Sequence, residues 1–112
     1  WMGRLIVSSG FSGPVAVAAK EVQSLTMSEN LELDPHAWQS VLNARKYVAN
    51  IRDALINIDR ANSAEYKKNA ELYNRELEAL EQWVQTSIAA LPEEKRVAVT
   101  THDAFRYFSN DY

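Results

Sequence analysis

The sequence contains no cysteine, and it has only three glycines and three prolines in 112 residues. Without cysteine the chain can form neither a disulfide framework nor a thiolate-ligated zinc or iron–sulfur site. The scarcity of glycine and proline, together with 46% hydrophobic residues, excludes a collagen-like or disordered chain. The length and composition are those of about one globular domain.

Long hydrophobic runs and excess positive charge are also missing. Uninterrupted apolar runs such as residues 5–7 and 15–19 reach at most five residues, whereas a membrane-spanning helix needs about 20 apolar residues. Twelve Lys and Arg against fifteen Asp and Glu give a net charge of −3. We therefore expect no nucleic-acid partner, because binding to a phosphate backbone needs clustered positive charge.

Two consecutive helices are predicted in the middle of the chain. Asp34 and Pro35 predict a helix start, because aspartate is a good N-cap and proline is favoured at the first helical position. The apolar residues that follow recur along one helical face: Val41, Ala44, Val48, Ile51, Leu55 and Ile58. After a short break, Asn62 and Glu65 predict a capping-box start for a second helix, which Pro92 ends. At 1.5 Å per residue this helix is about 43 Å long, more than twice the mean length.

Shorter elements flank these helices. Residues 1–9 predict the last turns of a helix ended by Gly10, and residues 26–33 predict a surface loop. The β-branched and apolar runs at residues 15–19 and 96–100 are typical of short strands. Strands that alternate with helices indicate an α/β class with parallel pairing. Two strands do not make a stable parallel sheet, so the missing strands have to come from elsewhere, and we expect a cut piece of a longer protein.

Two histidines are the candidates for a site. His102 directly follows a predicted parallel strand, and open α/β sheets bind their ligands beyond the carboxyl ends of strands. His36 lies at a predicted helix start, where the macrodipole favours the neutral ring that a metal needs. Asp34 and Asp103 are expected to be helix N-caps, although either could instead orient a neighbouring imidazole. The alternative is that both histidines are structurally incidental.

Catalytic motifs are absent from the sequence. It has no Walker loop, no Gly-x-Gly-x-x-Gly, no His-Glu-x-x-His and no Gly-x-Ser-x-Gly. We therefore expect the protein not to be an enzyme, and a hydrolase that uses His102 is a weak alternative. The main alternative is a helical interaction module, in which residues 36–58 and 63–91 pair through their apolar faces and the histidines are incidental.

The histidine segments resemble the metal-binding lipoprotein family, the solute-binding proteins of bacterial ABC transporters for zinc and manganese. Three segments carry the resemblance: residues 34–38 (DPHAW), 47–51 (YVANI) and 100–108 (TTHDAFRYF). The predicted long helix lies between the two histidine segments. It implies the central fragment of a two-lobed periplasmic metal-binding fold with parallel strands. Residues 1–61 would end the N-terminal lobe, residues 62–91 would form the long inter-lobe helix, and residues 92–112 would start the C-terminal lobe.

The resemblance also implies a function. His36 and His102 would be ligands of a transported Zn²⁺ or Mn²⁺ ion, and the family's other two ligands have no counterpart in this chain. Manganese members commonly carry glutamate at the position of His102, so an imidazole there favours zinc. The ion would be delivered to an ABC permease from the periplasm or the extracellular surface, by a protein that is either membrane-anchored or soluble. We further expect the apolar stripe of the long helix to self-associate with a second copy.

Overall fold

The computed structural model describes residues 2–27 and 32–112. Trp1 and part of the predicted loop at residues 26–33 lie outside this range. The helices are α1 (Met2–Ser8), α2 (Val41–Ile58), α3 (Ser63–Ala89) and α4 (Arg106–Asp111), with 3-10 turns at Ala37–Gln39, Arg60–Asn62 and Glu93–Lys95. None of these helices is long and apolar enough to cross a membrane.

The glycine that follows α1 ends this helix as predicted. Gly10 has a φ of +70°, in the left-handed region that glycine enters without steric cost. Its backbone N–H donates to the Val7 carbonyl at 3.3 Å, and the Ser9 N–H donates to the Leu5 carbonyl at 2.9 Å. The prediction of a short helix closed by Gly10 is confirmed for the residues that the structure describes.

Helix α2 begins later than predicted, and Asp34 is not its N-cap. The cap is Ser40, whose hydroxyl oxygen accepts a hydrogen bond from the Asn43 backbone N–H at 3.2 Å. Asp34 instead accepts from the backbone N–H of His36, two residues on, at 2.9 Å. Aspartate makes such local bonds readily in place of capping a helix, and here the bond closes a turn ahead of the 3-10 turn Ala37–Gln39.

The break between α2 and α3 is confirmed, but the predicted capping box does not form. Asp59 instead caps the 3-10 turn Arg60–Asn62 that precedes α3. Asn62 occupies the N-cap position of α3 without a side-chain hydrogen bond. The Asp59 carboxylate accepts from the Asn62 side-chain amide at 2.8 Å and from the Tyr66 hydroxyl at 2.7 Å. These two hydrogen bonds, the one from Asn62 first, lower the pKa of Asp59.

Helix α3 packs along α2, and its 27 residues make it about 40 Å long. Ala70, Leu77 and Val84 are buried and lie seven residues apart, on a single helical face. This part of the predicted stripe is covered within the chain itself. The expectation that the stripe self-associates with a second copy is not supported.

The two predicted strands do not form, and residues 2–27 and 32–112 contain no regular β-strand. An isolated antiparallel bridge joins Thr26 and Leu33. Val97 and Val99 are 77% and 94% exposed. A strand exists only where its backbone N–H and C=O groups find a partner strand, and the part of the chain described here offers none to residues 15–19 or 96–100.

Candidate metal centre

The two histidines meet, although 66 residues separate them in the chain. The Nε2 atoms of His36 and His102 are 3.1 Å apart. The two rings have centroids 4.9 Å apart and lie edge to face, with an interplanar angle of 76°. His36 immediately precedes the 3-10 turn Ala37–Gln39, and His102 lies in the irregular segment before α4. The structure therefore brings both predicted site residues together.

Asp34 fixes the orientation of the His36 ring. Its Oδ1 lies 2.7 Å from Nδ1 of His36, the Asp34 side chain is fully buried, and that of His36 is 12% exposed. A ring that donates its Nδ1–H to a carboxylate presents an unprotonated Nε2 on its opposite edge. Of the two roles considered for Asp34, the structure supports the orientation of an imidazole.

The second carboxylate oxygen of Asp34 has no protein partner in the described ranges. Oδ2 is buried and lacks a hydrogen-bond donor there. A buried, incompletely paired carboxylate costs free energy. The contacts that offset this cost are the two that Oδ1 makes with the backbone and the ring of His36.

An aromatic ring borders the histidine pair on one side, and solvent reaches it on another. The Trp38 ring lies edge to face with His36 at a centroid distance of 5.3 Å and is itself 54% exposed. His102 is exposed. The pair therefore lies at the surface of this chain, with its second imidazole accessible to a further ligand or to an ion.

Tyr107 of α4 connects the two histidine segments. Its side chain is buried, and its hydroxyl donates to the Asp34 carbonyl at 3.2 Å and accepts from the Leu25 N–H at 2.9 Å. Helix α4 also packs against the 3-10 turn Ala37–Gln39 that follows His36. The helix that begins four residues after His102 is thus fastened to the backbone that carries His36.

Tyr112 fastens the far end of α4 to the two long helices. Its hydroxyl donates to the carboxylate of the buried Glu81 in α3 and accepts from the Val41 N–H of α2 at 3.4 Å. The other Glu81 oxygen accepts from the Gln85 amide at 2.7 Å. Burial, and then the hydrogen bond to Glu81, raise the pKa of Tyr112 well above its usual value near 10.

Within the described residues Asp103 neither caps α4 nor hydrogen-bonds to an imidazole, so the N-cap predicted for it is wrong. Phe105 is the residue before α4, and Asp103 pairs with the Arg106 guanidinium at 2.9 Å. The His102 backbone carbonyl accepts from the Thr100 hydroxyl at 2.9 Å. Within residues 2–27 and 32–112, no serine or aspartate side chain hydrogen-bonds to the His102 ring, which leaves the hydrolase alternative without a triad.

The two imidazoles are the candidate site residues that the structure brings together. Among the residues that the structure describes, no group of three or more His, Cys, Asp or Glu side chains could hold a metal ion. That the family's two further ligands lie outside this chain stays a prediction. What the arrangement supplies is a pair of neighbouring nitrogen donors, one of them held in place by a buried carboxylate.

Sequence reasoning gave no role to Tyr107, Tyr112 or Glu81. The hydroxyl of Tyr107 bonds to backbone atoms 73 and 82 residues away, and that of Tyr112 bonds to Glu81 31 residues away. Such partners have no signature in local spacing. For Glu81 alone the sequence held a signal. It lies between Leu77 and Val84 at helical spacing, so a charged residue stands on the apolar face of α3 and needs a polar partner.

Metal-ligating histidines commonly donate their second ring N–H to a carboxylate, as His36 does to Asp34. Comparison with known proteins gives the family. Residues 1–112 match the family of the periplasmic zinc-uptake complex component A, ZnuA. The chain belongs to this family. Its members are substrate-binding proteins of metal transport and not enzymes, which confirms both the resemblance drawn from the motifs and the expectation of a non-enzyme.

Individual relatives cover much or all of this chain. The manganese-binding lipoprotein MntA of Halalkalibacterium halodurans is 38% identical over 112 residues, which is 100% of this chain and 37% of MntA. The metal ABC transporter substrate-binding lipoprotein SsaB of Streptococcus sanguinis is 40% identical over 85 residues, 76% of this chain and 28% of SsaB. The chain thus spans little more than a third of the first relative's length.

A solved structure shares the fold of the whole chain. The crystal structure of a zinc-bound deletion mutant of ZnuA superposes with a TM-score of 0.88 at 26% identity, and the match covers 100% of this chain and 42% of that one. The helical arrangement described above is therefore that of ZnuA-type periplasmic metal-binding proteins.

Proposed function

We propose that this chain provides two imidazole ligands of the metal site in an ABC transporter substrate-binding protein. The protein captures a divalent transition metal outside the cytoplasmic membrane and delivers it to a permease. No covalent chemistry is involved. Affinity comes from neutral imidazoles of His36 and His102, together with ligands outside this chain, closing around a dehydrated ion.

The separation of the two Nε2 atoms carries the proposal. Zinc–nitrogen bonds of about 2.0–2.1 Å at a tetrahedral angle place two ligand nitrogens about 3.3 Å apart. The 3.1 Å between His36 and His102 is close to that value. Two ring nitrogens at this distance can bind one bridging ion with little movement of either side chain. This convergence also disfavours a helical interaction module with incidental histidines.

The domain assignment extends this proposal to the parent protein. Residues 1–61 end an N-terminal lobe, residues 62–91 form a rigid inter-lobe helix, and residues 92–112 start the C-terminal lobe. The exposed β-branched runs at residues 15–19 and 96–100 support two-lobed parallel sheets, because exposed valines of this kind are suited to pairing with strands from elsewhere. A continuous helix of about 40 Å between the lobes permits only small lobe movements around the ion.

The transported ion is zinc or manganese in this proposal. Imidazole is a good ligand for zinc, and manganese sites favour carboxylate oxygens, so the His36–His102 pair favours zinc. The names of the relatives leave both open, since MntA is named for manganese, ZnuA for zinc, and other relatives for iron. Elemental analysis of the purified full-length protein identifies the ion that it carries.

A periplasmic or cell-surface location follows from the same family membership. The family description is periplasmic, and the relatives MntA and SsaB are lipoproteins. A histidine and carboxylate site needs no thiolate and the chain has no cysteine, so an oxidising compartment is compatible with the site. The permease is the expected partner, because relatives such as SsaB are named substrate-binding lipoproteins of metal ABC transporters.

The proposal is tested by calorimetric titration of the full-length protein with Zn²⁺ and with Mn²⁺. We expect His36→Ala and His102→Ala each to weaken binding of the transported metal by at least about 100-fold, since each removes one ligand bond. Thr101→Ala is the matched control, because Thr101 is exposed, adjoins His102 and carries no ring nitrogen. Unchanged affinity in both histidine variants would refute the assignment.

A further inference from the structure

We propose that Tyr107 is a positioning residue of this metal centre, which holds the His36 half of the site in register with the His102 half without touching the ion. The proposal rests on the proposed metal-binding function. Its basis is a set of hydrogen bonds that runs from Tyr107 in α4 through Asp34 to the ring of His36, which contacts the His102 ring.

The hydrogen bonds link Tyr107 to Asp34 and Asp34 to His36 in one path. The Tyr107 hydroxyl donates to the Asp34 carbonyl, and the Asp34 carboxylate holds both the backbone and the ring of His36. The same hydroxyl accepts from the Leu25 N–H, and the Asp34 N–H donates to the Leu25 carbonyl at 2.8 Å. Tyr107 therefore binds both sides of the Leu25–Asp34 pair and fixes the position of Asp34.

His102 is attached to the other end of this path. It lies five residues before Tyr107, and between them Ala104 is buried and Arg106 pairs with Asp103. A shift of α4 relative to Asp34 would therefore change the distance between the two Nε2 atoms. Bond lengths to a metal tolerate only about 0.2 Å, so a small shift costs affinity.

The magnitude follows from groups that orient metal ligands in other proteins. Loss of such an outer partner lowers metal affinity by about 10- to 100-fold. Tyr107→Phe removes the hydroxyl and keeps the buried ring. We expect this variant to bind Zn²⁺ about 10- to 100-fold more weakly than the wild type, and we expect the visible spectrum of its Co²⁺ complex to change because the nitrogen ligands move.

Tyr112→Phe is the matched control. It removes one tyrosine hydroxyl from the residue that follows α4, but that hydroxyl bonds to Glu81 and Val41 and not to Asp34. We expect its metal affinity to stay within about threefold of the wild type with an unchanged Co²⁺ spectrum, even where its melting temperature falls. If Tyr107→Phe and Tyr112→Phe behave alike in affinity and spectrum, Tyr107 is merely a packing residue and the proposal fails.

Asp34→Asn tests the path independently of whether Tyr107→Phe folds. It leaves both Tyr107 hydrogen bonds in place, since these use backbone atoms, and weakens their continuation to His36. We expect the same direction of change in affinity and spectrum, and wild-type values for this variant would overturn the proposal. His36→Ala in the same series separates the two hypotheses. If His36→Ala loses affinity and Tyr107→Phe does not, only the positioning role of Tyr107 is rejected. If His36→Ala keeps its affinity, the metal site itself is rejected.

Discussion

Asp34 has the residue type of an N-cap and precedes a proline, but its carboxylate is used by His36. Aspartate accepts from a backbone N–H two residues on in capped helices and in isolated turns alike, so the local sequence does not separate the two outcomes. The Nδ1 atom of His36, 2.7 Å from Oδ1, gives the carboxylate a second contact that a helix start would not supply. The residue type therefore predicted that the Asp34 carboxylate accepts hydrogen bonds, but it did not predict that His36 is the donor.

Tyr112 makes a prediction at this scale. Its folded-state pKa is raised above the unfolded value, so its contribution to stability is complete below about pH 10 and declines as the pH rises through the folded-state pKa. We expect Tyr112→Phe to be less stable than the wild type by about 1 kcal/mol at pH 8.

The difference between the two proteins should shrink above about pH 10, where the unfolded wild-type phenol ionises. Urea unfolding of both proteins at about pH 8, 10 and 11 measures it. Taking the difference removes the contributions of Tyr47 and Tyr66, whose pKa values are also raised. A difference that grows with pH would contradict the role assigned to the Tyr112–Glu81 hydrogen bond.

Among the secondary-structure elements, the helices were predictable and the strands were not. The apolar spacing of α2 and α3 is a local property, and it located both helices, with the start of α2 displaced to Val41. Residues 96–100 have the composition of a strand, but a strand requires hydrogen bonds to a second segment. The described part of this chain does not provide that segment, and composition alone cannot show this.

Ser40 makes the prediction for α2. Its hydroxyl caps the helix through the Asn43 N–H, and the residue is fully buried, so solvent cannot replace the lost bond. We expect Ser40→Ala to lower the free energy of unfolding by about 1 kcal/mol or somewhat more. Ser24→Ala is the control, because Ser24 is exposed and caps no helix. Equal urea midpoints for the two variants would show that the cap does not stabilise α2.

For the molecule as a whole, the site depends on contacts between distant parts of the chain. His36 and His102 meet because α4, which follows His102, packs against the turn after His36, and because Tyr107 of α4 donates to the Asp34 carbonyl. The family's metal-binding role, proposed here for this protein, then adds a bond between two segments that the sequence separates by 66 residues.

Metal binding is therefore expected to stabilise the whole protein. An ion that binds only the folded state at 100 times its dissociation constant adds about 2.7 kcal/mol to the free energy of unfolding. We expect Zn²⁺ or Mn²⁺ to raise the melting temperature of the full-length wild-type protein and to have little effect on His102→Ala. Calorimetric melting with and without the ion, followed by chelator, measures the effect. A shift of equal size in the variant would mean that the ion acts elsewhere.

The sequence by itself determined the two long helices, the glycine that ends α1, the family resemblance and the identity of both histidines. Each of these depends on residues that are neighbours in the chain, where spacing and residue type carry the information. The tertiary structure alone decided that the two imidazoles meet, that Asp34 orients one of them, and that Tyr107 joins their segments. These contacts link residues up to 82 positions apart, and packing and long-range hydrogen bonds select them.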